Sequence, residues 1–486
     1  MLGGDEINNH YLLRYGLTKD FFESFSSLQY KNIELPLLLI RSFHNYIRPV
    51  VDSHLNDKRL LEELQNRHCF TIVKDIQNAL ARKPILKEDF SVVSTRNAIL
   101  TTTKHYPFVR KQFPHNNVIL ITTRKPNHSS ITKMPRNFSV YDYRMQLRRA
   151  VVPHEALQQL AKQTDIIISQ QREHVLFGRP GFRKWLLSRL ISAVKTIMAL
   201  DELIVSSPVR VIIDHTEVTN PGTALSLLAI KYNLPFVNVP YYLLSDCSVI
   251  PTRAAYHCVW GKIHKNWLEQ RGIPADRIIP VGSIRLTDAT KGRFLSRSEL
   301  CRKLEIPDDS LIITFLMQPY PGTVNKRLFA WIQHAVRGLH VSVIVKYHPL
   351  DKKSYGIDGD GNMYHAPKNL PLYDVLNGTD LVMTVSSTAA IEAALFGKGI
   401  IVLQPEMPYH YNFGYNNFNS FLKKASAGPA VHSAAELKGL IARLTAGKKM
   451  RRALIKKAQG FLRNILEEKN ASPNVFLEKF IRQILM

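Results

Sequence analysis

A chain of 486 residues with 45% hydrophobic and 21% charged side chains is too long for one compact core and has the composition of a globular protein, which excludes collagen-like, low-complexity and wholly disordered classes. A formal net charge of +26 calls for an acidic partner, such as nucleic acid, an anionic membrane surface, or a phosphorylated or acidic-sugar substrate. Cys69, Cys247, Cys258 and Cys301 are scattered without a disulfide framework, and no apolar run approaches the ~20 residues that span a bilayer.

Residues 1–90 read as a helical extension, with Phe21, Phe22 and Phe25, and then Leu60, Leu61 and Leu64, at helix spacing. The start, Met-Leu-Gly-Gly-Asp-Glu, lacks the basic and apolar regions of a signal peptide, so the expectation is a cytoplasmic protein, with a place at the inner face of the membrane left open. From Ser91 strands alternate with helices. Asn97–Thr101, Val118–Thr123, Asp165–Ser169, Val209–Ile213, Phe236–Pro240 and Cys258–Gly261 are the expected strands of a first doubly wound domain over residues 91–290. The basic stretch from Thr290 to Pro307 reads as a linker. Leu311–Met317, Val341–Lys346, Leu381–Val385 and Ile400–Leu403 then mark a second such domain over residues 291–470, and residues 471–486 a terminal helix free to cross back onto the first.

The most informative stretch is Asp380 to Pro405. Leu381–Val385 is a strand, Ser386, Ser387 and Thr388 are residues that cap helices, Ala389–Phe396 is rich in helix formers, Gly397 ends the helix and Ile400–Leu403 is the next strand. Such a βαβ unit carries ligands beyond the carboxyl ends of its strands, where the hydroxyls and free amides of Ser386–Thr388 suit a phosphate and Glu392, a turn further on, is in reach of a ribose diol. An ordinary capped helix has the same pattern. A second strand, Val341–Lys346, ends in Lys346, Tyr347, His348 and Pro349, offering a cation and an imidazole to the same anion, although His before Pro is also plain turn chemistry. Gln318 and the Tyr320-Pro321-Gly322 turn follow the strand Leu311–Met317 and face the same crevice if the sheet is built this way.

Lys-x-His-Pro ahead of Asp-x-x-x-x-x-Ser-Ser-Thr, with a Glu-containing helix closing on Gly-Lys, resembles the donor half of GT-B glycosyltransferases, in particular Kdo transferases, bacterial sialyl- and polysialyltransferases and related glycerophosphotransferases. Gly272-Ile-Pro274, Arg277-Ile278 and Val281-Gly282-Ser283-Ile284-Arg285 are similar to the Gly-Ile-Pro, Arg-Ile and Val-x-Gly-x-x-Arg passage that ends the first domain in that group. The resemblance implies two Rossmann-like domains facing a cleft, with residues 91–290 as acceptor domain and 291–470 as nucleotide-sugar donor domain. It implies donor contacts from His348, Pro349, Ser386, Ser387 and Glu392, a CMP-linked acidic sugar as donor, a surface-polysaccharide or lipid-linked glycan as acceptor, and a base from the first domain. Asp214-His215-Thr216-Glu217, after the strand Val209–Ile213, places two carboxylates and an imidazole where that base should be, with Asp214 and Glu217 the candidates and His105 after the first strand another; a loop capping the helix Thr223–Lys231 explains the stretch equally well. His174 is an acceptor contact or nothing.

No metal or other cofactor is expected, because a helix terminus and basic side chains meet the charge on a leaving phosphate. The Lys448–Arg463 run is a solvated face or a contact with an anionic membrane. A UDP-N-acetylglucosamine 2-epimerase shares such a fold, but where those enzymes carry Gly-Thr-Arg-Pro-Glu this chain has Thr103-Lys104-His105-Tyr106. A non-catalytic nucleic-acid binder would interleave aromatics with its basic runs, and Lys448–Lys457 has none. Cys247, His257, Cys258 and His264 lack the close cysteine pairs of a structural zinc site. Asp358-Gly-Asp-Gly-Asn362 is half a calcium loop, and a turn is expected there.

Overall fold

Strands buried on both faces read as unbroken apolar runs, and that burial dictates the architecture. In the computed structural model, which describes residues 4–123, 134–349, 351, 355, 362–414, 418–467 and 472–486, a short hairpin, β1 (Gln29–Tyr30) and β2 (Ile33–Glu34), precedes two parallel sheets. The first holds β3 (Ala98–Thr102), β4 (Val118–Thr122), β5 (Phe138–Asp142), β6 (Val209–Asp214), β7 (Phe236–Asn238), β8 (Tyr256–Val259) and β9 (Ile278–Pro280), in the order β5-β4-β3-β6-β7-β8-β9. The second holds β10 (Leu311–Leu316), β11 (Val341–Lys346), β12 (Met363–His365), β13 (Leu381–Thr384), β14 (Gly399–Leu403) and β15 (Ala430–Val431), in the order β12-β11-β10-β13-β14-β15. Counted from its own first strand, each sheet runs 3-2-1-4-5-6, with a seventh strand added to the first; this is the doubly wound Rossmann order. In both, the winding reverses between the first and fourth strands, so β3/β6 and β10/β13 are the two switch points.

The chain divides into two compact units, one formed mostly by Asp5–Trp260, His264–Gly282 and Lys469–Met486, the other mostly by Ser283–Glu468. The first 90 residues are thus helical but built into the first unit. Phe21 stacks on Phe43 with centroids 4.2 Å apart, and Phe25, Phe177, Phe182 and Trp185 close around them, fixing the helix Asn9–Ser24 against the helix Phe182–Ser206. Lower down, Tyr11 Oη donates to Asp246 Oδ2 at 2.9 Å, and the fully buried Arg271 grips both oxygens of the same carboxylate. The terminal helix Pro473–Leu485 packs in this unit too: Phe480 meets Tyr256 edge-on, and Arg482 donates to the Gln112 carbonyl at 3.1 Å.

Two sequence expectations change. Asp165–Ser169 is not a strand but the last part of a helix, His154–Gln170, whose buried positions Leu160, Thr164 and Ile167 recur every three to four residues while Ile166 is 47% exposed; the short apolar run had the right composition but the wrong period. The supposed linker contains a capped helix, Arg297–Leu304, in which Ser296 and Glu299 form a capping box and Leu300 and Cys301 join the core of the second unit with Ile312 and Ile344. The expected turn at residues 358–362 lies outside the described residues except for Asn362.

Arg271→Met leaves the Asp246 carboxylate buried without its cation. The expected cost is about 3–5 kcal/mol, read as a lower urea midpoint at unchanged slope; a midpoint that does not move would mean that this pair does not hold the helical start to the first sheet.

Candidate functional site

At the switch point of the second sheet, the loop after β10 and the loop after β13 are tied by side chains. Gln318 Oε1 accepts the Ser386 amide at 2.8 Å, while Gln318 Nε2 donates to Ser386 Oγ at 3.3 Å. Tyr320 Oη lies 2.8 Å from Ser386 Oγ and 3.1 Å from Asn419 Oδ1, and Asn419 Nδ2 donates to the Tyr411 carbonyl at 2.9 Å. Each hydroxyl has one proton, so the cluster Gln318–Tyr320–Ser386–Asn419 forms a directed network that fixes the turn leading into the next helix. That helix, Ala389–Leu395, is stopped at Gly397 with φ +70°. Ser387 Oγ accepts the Ala389 amide at 3.2 Å and keeps its own proton, whereas Thr388, at the N-cap, makes no capping bond with its side chain. Among the described residues nothing accepts from the Ser387 or Thr388 amides.

The other sequence candidates divide. His348 is half-buried beyond the end of β11, Pro349 beside it is exposed, and burial, opposed by the nearby Asp351, lowers the His348 pKa below its ordinary value. At neutral pH the ring is therefore an uncharged donor and not a cation. A relay connects it to the switch point: Tyr355 Oη donates to Asp351 Oδ2 at 2.8 Å, and Asn325 Nδ2 lies 3.0 Å from both Tyr355 Oη and the Gln318 carbonyl. Lys346 points elsewhere, its ammonium bonded to the carbonyls of Leu370 and Pro367. Glu392 is buried in an ion pair with Arg285, Nη2 to Oε1 at 2.8 Å, and accepts from Tyr373 Oη at 3.3 Å; burial raises its pKa and the guanidinium opposes this. Glu392 therefore holds Arg285, the last residue of the Val281–Arg285 run, instead of presenting its carboxylate to a ribose diol.

In the first unit the switch point gathers different chemistry. Asp214, the last residue of β6, is buried, and its Oδ1 accepts from Thr102 Oγ1 at 3.1 Å, from the His215 amide at 2.8 Å and from the His215 ring, where Nδ1 lies 2.7 Å away. Burial raises the Asp214 pKa, but hydrogen bonding and charge from His215 outweigh it, leaving the carboxyl below its ordinary value and ionised. Its Oδ2 is buried without a partner among the described residues. A Cβ at Gly222 would stand 2.0 Å from the Thr216 carbonyl oxygen and 2.8 Å from that Oδ2, so only glycine lets the helix Gly222–Lys231 approach so closely. With Nδ1 donating to Asp214, His215 Nε2 turns its lone pair to Lys104 Nζ at 2.7 Å, and Lys104 lies over the Tyr242 ring at 4.9 Å. His105 is close by, its ring 6.2 Å from that of His215, but it is wholly buried, with Nε2 3.3 Å from the Val239 carbonyl and a pKa pressed down by burial to about 4. Glu217 is brought to neither group: its oxygens accept from Thr252 Oγ1, the Arg253 amide and Asn238 Nδ2, anchoring the segment after the helix Asp246–Val249. His174 lies outside this site, against Asp20 in the helical start.

Of the groups gathered here, the sequence reading placed the His215 imidazole beside Asp214 and Glu217 but did not name Lys104 as a contact. His215 follows Asp214 directly, and Lys104 precedes His105, so both stood at the strand ends that mattered. Asn419 had no such signal, since it arrives from irregular chain after β14.

No protein-family model matches the chain, and no curated protein matches its sequence. Solved structures similar to it include the UDP-GlcNAc 2-epimerase from Neisseria meningitidis bound to UDP-GlcNAc, at 14% identity over 79% of this chain and 100% of that one with a TM-score of 0.48. A glycosyltransferase from Rickettsia africae is similar at 10% identity over 80% and 98%, with a TM-score of 0.46. The glycotransferase of kitacinnamycin is similar at 9% identity over 80% and 98%, with a TM-score of 0.49. At these identities and scores the likeness assigns no role to any residue of this chain.

The buried imidazoles set a pH dependence. The folded chain refuses a proton at His105 until about pH 4, and likewise at His257, whereas the unfolded chain takes one near 6.5. Stability is therefore fully retained above about pH 6.5 and falls as pH drops toward 4, by up to roughly 3 kcal/mol for one such group. His105→Asn should flatten part of that slope in thermal melts taken across the window; a slope unchanged from the parent would show that His105 does not stay neutral when folded.

Proposed function

We propose that the chain is a nucleotide-sugar glycosyltransferase of the GT-B type. The observation that carries this reading is the coincidence of chemistry with topology: the Ser-Ser-Thr turn and Gln318 fall at the switch point of the second sheet, the Asp214–His215 pair falls at the switch point of the first, and parallel sheets of this order take their ligands there.

The donor is assigned to the second unit. The Ser387 and Thr388 amides and hydroxyls hold a phosphate of the nucleotide, and Ser386 positions them through Gln318 and Tyr320. His348 donates a hydrogen bond toward the same charge, Pro349 fixes the turn on which His348 stands, and Lys346 holds the 367–370 turn in place. Charge building on the leaving phosphate is met by these donors, so the step calls for no divalent ion. The proton-accepting group is assigned to the first unit. Asp214 orients the His215 ring and stabilises it once protonated, and His215 Nε2, released by Lys104 as the acceptor hydroxyl takes its place, receives the hydroxyl proton as the new glycosidic bond forms and the sugar–phosphate bond breaks. His105, neutral and buried, is a poorer base, and Glu217 a structural one. A CMP-linked acidic sugar and a surface or lipid-linked glycan are the substrates this reading favours; a polyanionic acceptor also suits the charge of +26. The exposed basic residues of the helix Lys448–Ile465 are assigned to an anionic membrane surface.

A thermal-shift panel of CMP, CDP, UDP, GDP and ADP tests the donor site, since a bound nucleotide raises Tm by mass action. One nucleotide is expected to stabilise the parent chain selectively and to lose its effect in Ser387→Ala and His348→Ala; no shift with any of them overturns the assignment. With the nucleotide sugar so identified, His215→Ala is expected to lower transfer by about 10²–10⁴-fold at unchanged nucleotide affinity. Conversion of the sugar nucleotide without any acceptor would make the chain an isomerase instead.

A further inference from the structure

The helical start carries a cluster of ligand-type side chains that the transfer reading leaves unused. Asp20, on the helix Asn9–Ser24, is buried, and its Oδ2 accepts from Arg67 Nη1 at 3.0 Å and from His174 Nε2 at 3.2 Å. Its Oδ1 lies 3.1 Å from His68 Nε2. The His68 side chain has no exposed surface, and neither of its ring nitrogens makes an aligned hydrogen bond. An imidazole desolvated at both nitrogens is costly unless one of them takes up a ligand. Glu23 follows Asp20 by three residues on the same helix face, and Asp20, Glu23 and His68 offer ligand atoms that all lie within 4.8 Å of one another.

The one short separation in the cluster fits a shared ion. Two donors each about 2.1 Å from one ion stand roughly 3.0 Å apart at a right angle and roughly 3.4 Å apart at a tetrahedral angle, and the 3.1 Å between Asp20 Oδ1 and His68 Nε2 falls between the two. Arg67 and His174, both on Oδ2, orient the carboxylate and leave Oδ1 for the ion, the role of outer-shell partners at metal centres. A cavity of about 570 Å³, lined by Asp20, Glu63, Arg67 and His174 among others, reaches the cluster at Asp20 and is open for water to complete an ion's coordination. Among the described residues Glu23 pairs with Lys19 at 3.8 Å, a surface pair which an ion displaces at little cost.

We propose that Asp20, Glu23 and His68 bind one divalent transition-metal ion, which pins the helix Asn9–Ser24 to the helix Lys58–His68. One imidazole and two carboxylates suit Zn²⁺, and the mixed donor set disfavours Mg²⁺ and Ca²⁺.

The full chain, stripped with a chelator and dialysed, is titrated with Zn²⁺ in a calorimeter, with Mg²⁺ and Ca²⁺ as controls, and its Co²⁺ absorption is recorded in parallel. One equivalent of Zn²⁺ is expected to bind and to raise Tm, and Co²⁺ to give a visible band. Glu23→Gln, at an exposed position that should leave folding intact, is expected to weaken binding about tenfold or more, and His68→Gln to abolish both the equivalent and the Co²⁺ band. No stoichiometric Zn²⁺ in the parent chain, or the same affinity and spectrum in Glu23→Gln, overturns the site and leaves Asp20 and His68 as an ion pair only.

Discussion

Two parallel sheets whose strands are buried on both faces leave polar chemistry nowhere to go but the strand ends. Every residue of β3, β4, β10, β13 and β14 is buried, and the hydroxyls inside the strands are spent on neighbours, Thr101 on the Ile213 carbonyl, Thr314 on Thr379 and Ser342 on Ser310; Thr102, Asp214, Lys346, Ser386 and Gln318 stand where strands run out. The reversal of winding between β3 and β6, and again between β10 and β13, separates neighbouring loops at two points and opens a crevice there. Both candidate sites follow from that one constraint.

Within each site the same residue types meet different fates according to their surroundings. Asp214 and Glu217 are three positions apart and equally buried, yet their shifts run in opposite directions. The imidazole beside Asp214 keeps it ionised, while burial dominates at Glu217 and raises its pKa despite three neutral donors. One holds the His215 ring; the other holds a loop. In the second unit, Ser386 is absorbed into a network with Gln318, Tyr320 and Asn419, whereas the Ser387 and Thr388 amides find no acceptor among the described residues. A phosphate satisfies such donors without reorganisation, which is what makes a preformed site effective.

Much of this was legible in the sequence, and the part that was not has physical causes. Unbroken apolar runs ending in polar residues disclosed nearly every central strand and, with them, Asp214, His348 and the Ser386–Thr388 turn. Asp165–Ser169 misled because three successive isoleucines fit a helix as well as a strand, and only the burial of Leu160, Thr164 and Ile167 shows which period applies. The Glu392–Arg285 pair and the turning of Lys346 toward backbone carbonyls were out of reach, since side-chain direction depends on partners far along the chain. The helical start looked like a separate extension because its aromatic residues carry no record of the helix Phe182–Ser206 on which they pack.

Hydrogen–deuterium exchange of the full chain, with and without the stabilising nucleotide, tests the donor assignment most directly. Protection should rise in the segments holding Gln318–Tyr320 and Val385–Ala390, where the Ser387 and Thr388 amides gain an acceptor. Unchanged exchange of those amides in the presence of saturating nucleotide would contradict it.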